Sequence, residues 1–102
     1  MNYKYEVYGY YYDEDNLLGS NAKVPDVSHV DILTLKDTCN GEEMVKIATA
    51  DVVNYDGYCG VFDFANFEVD EEIDLDWVRG VVMNSNNQSL ADVEIDLIEE
   101  LE

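Results

Sequence analysis

Apolar and polar residues alternate with a period of two along much of the chain, the signature of strands packed on one face and wet on the other. The clearest run is 67–77. Its odd positions read Phe67, Val69, Glu71, Ile73, Leu75 and Trp77, and its even positions Glu68, Asp70, Glu72, Asp74 and Asp76. A helix would scatter both sets around its circumference, so the run predicts a half-buried strand backed by the apolar set. Glu71 breaks the odd parity and marks a place for a bulge or bend. Near the start, Tyr3, Tyr5, Val7 and Tyr11 alternate with Lys4, Glu6, Tyr8 and Tyr10. That predicts an aromatic strand with one tyrosine set inside and the other available to a partner. Residues 27–36 are apolar on both parities and suit a strand buried on both faces, and 58–64 read as a further strand.

The breaks are polar: 13–25 as a loop, 54–57 as a turn, 84–89 as a second loop. Over 40–53, Asn40 with Glu43 three residues on fits a capping box, and Met44, Ile47 and Ala48 share a helical face. A short helix is expected there, against the β-branched content. Two readings stay open for 89–101. Asp92, Glu94 and Asp96 alternate with Val93, Ile95 and Leu97 as in a strand, while Ser89 and Asp92 could cap a helix burying Leu90, Val93, Leu97 and Leu101. The tetrapeptide Glu-Ile-Asp-Leu occurs at 72–75 and again at 94–97. The expected fold is β-rich α+β: one domain over 1–102, a mainly antiparallel sheet, and at most one or two short helices.

Composition changes the picture through charge. The 102 residues carry 24 Asp plus Glu against five Lys plus Arg, a net charge of −19, yet 47% are hydrophobic and eight are Tyr. Such a chain can fold around a core, whereas a disordered acidic tail would lack the aromatics. No fold requires this imbalance, and self-repulsion makes it costly. The second half, 52–102, holds fourteen of the acids and a single base, Arg79. An acidic surface repels nucleic acid and anionic membranes. The first residues lack a basic start followed by an apolar run, and no apolar segment is long enough for a span, so a cytoplasmic location is expected. Cys39 and Cys59, with no CxxC spacing, read as two free thiols of a reducing compartment.

Candidate chemistry narrows quickly. His29 is the only histidine. Ser28 and Asp31 flank it, but alternation along a strand would turn Ser28 away from the imidazole, so no Ser-His-Asp site is expected. Residues 54–57 with Asp63 resemble part of an EF-hand loop, but the first ligand position falls on Val52, which has no side-chain oxygen. No glycine-rich phosphate loop and no His or Cys cluster is present, so neither enzyme chemistry nor a cofactor or metal is expected.

What remains is the carboxylates. Residues two apart on a strand are separated by roughly 6.6 Å. Glu68, Asp70, Glu72, Asp74 and Asp76 would form one row and Asp92, Glu94 and Asp96 a second, at a pitch like that of a phosphate backbone. In size, charge and these two rows the chain resembles, as a class, the DNA-mimic anti-defence inhibitors of phages and mobile elements, of the anti-restriction and anti-CRISPR type. No motif is shared, and those proteins have unrelated folds. The resemblance implies that these eight residues bind a basic nucleic-acid-binding protein of the host (a nuclease, restriction enzyme or CRISPR effector) without contacting nucleic acid or membrane. A homo-oligomer is compatible with it. Two other readings fit the same composition: an acidic interaction or virion-assembly module without inhibitory activity, and a salt-adapted protein of other function.

Overall fold

The computed structural model describes residues 2–8, 11–12, 26–56 and 60–101. Among them are eight strands: β1 (Asn2–Tyr8), β2 (Tyr11–Tyr12), β3 (His29–Thr38), β4 (Gly41–Asp56), β5 (Val61–Phe64), β6 (Phe67–Val69), β7 (Val78–Met83) and β8 (Ser89–Leu101). Every pairing is antiparallel, in the order β2-β5-β4-β3-β7-β8-β1-β6. The β-rich, mainly antiparallel expectation is met, and no helix occurs among the described residues. The expected loop at 13–25 lies outside them, as do Tyr10, Tyr58 and Cys59.

The sheet is rolled. β5 stands next to one end of the strand order and β6 at the other, yet only Ala65 and Asn66 separate them. So short a link forces the two ends together, and β6 accordingly lies against β4 and β1 against β5. The Ala65 N–H donates to Asp51 O at 2.9 Å and fixes this crossing. Curling encloses one face of the sheet, and that face holds the core: Tyr5, Val30, Ile32, Ala50, Phe62, Phe64, Phe67, Val82 and Ile95. Tyr3 and Tyr5 of the odd set face inward, with Tyr5 fully buried and stacked on Phe67 at 5.6 Å. In β3, Val30, Ile32 and Thr34 are buried, while His29, Asp31, Leu33 and Leu35 are half-buried. Only one face of this strand, not both, is fully covered.

The helix expected at 40–53 is instead the first part of β4, in register with β3 from Thr38↔Gly41 to His29↔Asp51. Two features override the capping box. Asn40-Gly41 is a hairpin turn signal, and Gly41 adopts φ +100°, a conformation glycine reaches without penalty. Thr38 Oγ1 accepts from Asn40 N at 3.1 Å and closes the turn, which presents Cys39 as an exposed free thiol. The β-branched residues Val45, Ile47, Thr49, Val52 and Val53 then favour the extended chain.

For 89–101 the strand reading holds. β8 pairs with β7 on one side and β1 on the other. The polar loop before it is a tight turn organised by buried Asn84, whose Oδ1 accepts from Asn86 N (2.9 Å) and Gln88 N (3.0 Å). Close approach of β7 to β8 requires Gly80, since a Cβ there would sit 3.0 Å from Val93 Cγ2 and 3.1 Å from Val93 O.

Candidate functional site

The carboxylates of β8 lie on a regular strand. Val93, Ile95 and Leu97 pack inward, so alternation turns Asp92, Glu94 and Asp96 outward, and all three are exposed. A bulge follows: Tyr5 pairs Leu97 but Lys4 pairs Glu99, leaving Ile98 as the extra residue. The extra residue re-sets the parity, so Glu99 stays on the outer face with Asp96. Neighbouring strands widen this face. Glu6 on β1 stands directly opposite Asp96, and Glu68 on β6 stands opposite Lys4, which in turn faces Glu99. Like charges directly opposite across a pair are destabilising. The Glu6–Asp96 opposition is therefore a local cost that the register builds in.

Two cations sit among these acids. Lys4 lies between Glu68 and Glu99, and Arg79 on β7 holds Asp92 in a two-point grip, Nε to Oδ2 and Nη2 to Oδ1, each 3.0 Å. Asp92 is thus matched within the chain, while Glu94 and Asp96 make no ion pair among the described residues.

Residues 68–76 are arranged differently from the expected row. Strand β6 ends at Val69, and 70–77 are irregular, outside any strand. Glu68, Asp70, Glu72, Asp74 and Asp76 are all exposed, but they do not lie along one strand. The bend that Glu71 suggested is real and takes the rest of the segment with it. Ile73 alone is drawn inward, its N–H donating to the Tyr5 hydroxyl at 2.8 Å. Asp74 then builds a turn, accepting from Asp76 N at Oδ1 (3.0 Å) and from Trp77 N at its carbonyl (2.9 Å). Glu71 reaches Lys36 at 3.8 Å.

The consequence is a correction to the apolar backing. Leu75 is 42% exposed and Trp77 58%, so neither belongs to the core. Trp77 O accepts from Leu35 N at 3.3 Å, so its backbone runs beside β3 while its ring stands in solvent. Between this segment and the β3–β4 strands lies a cleft of about 700 Å³, with Val45, Ile47 and Val69 on its walls and Asp70, Glu72 and Asp74 at its rim. Sequence reasoning missed Trp77 as a surface group because its parity matched Phe67 and Ile73.

A second correction concerns His29. Ser28 precedes β3, so strand alternation does not separate the two side chains. Ser28 Oγ lies 3.0 Å from His29 Nδ1, and His29 Nε2 lies 3.4 Å from Asp31 Oδ1. The same Asp31 oxygen accepts from Thr49 Oγ1 at 3.2 Å. Acyl transfer also needs donors for an oxyanion, and the Ser28 N–H is committed to Met83 O at 2.9 Å. This relay sits at the far end of β3 from the cleft, which borders 34–37. Its visible work is to hold β3 to β4 on their outer face.

Asn54 and Asp63, two of the oxygen ligands in the EF-hand comparison, face each other across the β4–β5 hairpin, with Asn54 Nδ2 3.5 Å from Asp63 Oδ2. Among the described residues no group of three or more His, Cys, Asp or Glu is placed to hold a metal, and no helix is long and apolar enough to cross a membrane. Comparison of the chain with protein-family models, curated proteins and solved structures finds no match.

Proposed function

We propose that this protein binds a cationic nucleic-acid-handling protein, in the cytoplasm of a host cell, and inhibits it by offering carboxylates where DNA would offer phosphates. A phage inhibitor of the anti-CRISPR or anti-restriction type is the form this takes. The observation that carries the reading is the outer face of β8, β1 and β6. There Glu94, Asp96, Glu99, Glu6 and Glu68 are fixed on paired strands, with Glu6 opposite Asp96 at a cost to the fold. A guanidinium or ammonium group seated between those two would relieve the repulsion. Spacings of roughly 6.6 Å along a strand and 4.5–5.5 Å across a pair make a grid of negative charge on a rigid support. Long-range attraction then steers a basic groove onto it.

The test is displacement of labelled duplex DNA from purified restriction nucleases and CRISPR effectors, followed by anisotropy across a salt series. Displacement should weaken steeply with salt, because exposed charges are screened over about 8–10 Å at physiological ionic strength. A Glu6→Gln, Glu94→Gln, Asp96→Asn variant should bind about 3-fold to 100-fold more weakly, each lost charge contributing a few tenths to about 1 kcal/mol. Displacement that ignores both salt and these substitutions would sink the proposal.

A further inference from the structure

The acidic grid does not account for an exposed tryptophan, Trp77. Trp77 is 58% exposed, with Leu75 at 42% and Met44 at 41% close by in the fold, where Met44 pairs with Leu35 and Leu35 is bonded to Trp77. Tryptophan is a costly residue to leave in water and a frequent anchor in interfaces. Its backbone is held on both sides, by Asp74 O and by Leu35 N, so the ring stands on a fixed base.

The surroundings state what chemistry fits. A notch of about 280 Å³ is bounded by Trp77 and Leu35 and rimmed by Asp37, Glu42 and Asp74. Asp37 and Glu42 are themselves directly opposite across the β3–β4 hairpin, a second built-in like-charge pair. Lys36 also borders the notch, but its Nζ turns toward Glu71. The notch shares Leu35, Lys36, Asp37 and Asp74 with the larger cleft, so a chain laid in one can run into the other. An aromatic face beside three carboxylates and an apolar wall is a receptor for a planar cation. It offers stacking and cation–π attraction on one side and two-point hydrogen bonds on the other. Nucleic acid would stack on the ring but meet the carboxylates, and a second copy of a chain with net charge −19 would be repelled.

We propose that Trp77, Asp37, Glu42 and Asp74 form an anchor for an arginine side chain on a protruding segment of the partner protein. The adjoining cleft would receive the residues that follow. This deepens the proposed function, because it rests on the partner being a basic protein, and it adds a contact that phosphate mimicry does not supply.

Trp77 is the only tryptophan in the chain, so its emission reports on this notch alone. A short oligoarginine peptide should change that emission saturably, and should bind about 5-fold more tightly than a matched oligolysine, which cannot stack or fork. Asp37→Asn with Glu42→Gln should weaken the effect by about 5-fold or more, with the fold checked by circular dichroism. Trp77→Ala, read by calorimetry, should weaken oligoarginine binding to a similar extent, whereas Glu94→Gln with Asp96→Asn should leave the tryptophan response unchanged. Equal response to lysine and arginine, or oligoarginine binding that leaves Trp77 silent, overturns the anchor. A peptide response at Trp77 without displacement of DNA from any nuclease upholds the anchor and removes the inhibitor reading. DNA displacement by a protein whose Trp77 stays silent does the reverse.

Discussion

Residues 72–75 and 94–97 carry the same four side chains, Glu-Ile-Asp-Leu, and take different structures. At 94–97 the chain is a strand, Ile95 is buried and Leu97 packs against the core, so the two acids point out from a paired strand. At 72–75 it is an irregular segment; Ile73 is buried but Leu75 is 42% exposed. The difference is pairing. Residues 94–97 have β1 alongside in continuous register, whereas 72–75 have no strand partner, and one hydrogen bond to the Tyr5 hydroxyl takes the place of a ladder. Alternation states which side chains want to be dry; whether a strand forms is decided by a neighbour that can complete its backbone hydrogen bonds.

Alanine substitution at the two isoleucines and two leucines divides the copies. Ile95→Ala and Ile73→Ala should each destabilise by about 2–5 kcal/mol, because both side chains are buried and each leaves a cavity. The leucines should separate: Leu97→Ala costs about 1–2 kcal/mol, half-buried as it is, and Leu75→Ala stays within about 0.5 kcal/mol. Urea unfolding of the four variants reads this directly. Equal costs for the two leucines would mean that 72–75 packs as a strand after all.

Tyr5 is where the unpaired copy is held, and its removal tests that hold. Tyr5→Phe keeps the ring stacked on Phe67 but strips the acceptor from the Ile73 N–H, at a cost of about 1–3 kcal/mol for a buried donor left unsatisfied. Hydrogen exchange should speed up across 70–77 and remain slow in β8. A pH effect accompanies it. Burial pushes the Tyr5 phenol above its ordinary value of 10.0, the Ile73 N–H pulls it part of the way back, and the Glu72 carboxylate adds to the rise. The native state therefore keeps a proton that the unfolded chain loses near pH 10. The Tyr5 contribution to stability is level below that pH and declines as pH rises through it. Unfolding free energies from pH 8 to 11 should fall less steeply in Tyr5→Phe than in the wild type. Parallel slopes would show that the phenol does not titrate differently in the two states.

Much of this arrangement could be read from residue order, and the failures at Trp77 and at Ser28–His29 share one cause. Val93, Ile95 and Leu97 gave the inner face of β8 and placed Asp92, Glu94 and Asp96 outside. Glu71 announced a bend, but nothing local says how far it extends, because that depends on where the edge of β1 runs out: Val69 already stands opposite Tyr3, one residue from the start of β1. Trp77 was assigned to the core on parity, and parity has no meaning once the chain leaves a strand. The same logic undid the separation of Ser28 from His29, since Ser28 lies one residue outside β3. For 40–53 the missed signal was in plain view: Asn40-Gly41 specifies a hairpin more strongly than Asn40 with Glu43 specifies a helix start.

The smallest effect concerns the one acid of the β8 row that is already matched. Arg79 and Asp92 are both more than half exposed, so Arg79→Ala should cost only about 0.2–1 kcal/mol of stability despite the two-point geometry. Its effect on binding should have the opposite sign. Losing Arg79 unmasks Asp92 beside Glu94 and Asp96 and removes the single base of residues 52–102. Association with a basic partner should then quicken about 2-fold at low salt, and the gain should vanish as salt is raised. Residues 72–75 offer no equivalent lever, because the cation near that segment, Lys36, pairs with Glu71 and not with a member of the even set. Stopped-flow association of Arg79→Ala and Lys36→Ala with the same partner compares the two regions on one scale. A larger gain from Lys36→Ala would move the main contact from the β8 face to the bent segment.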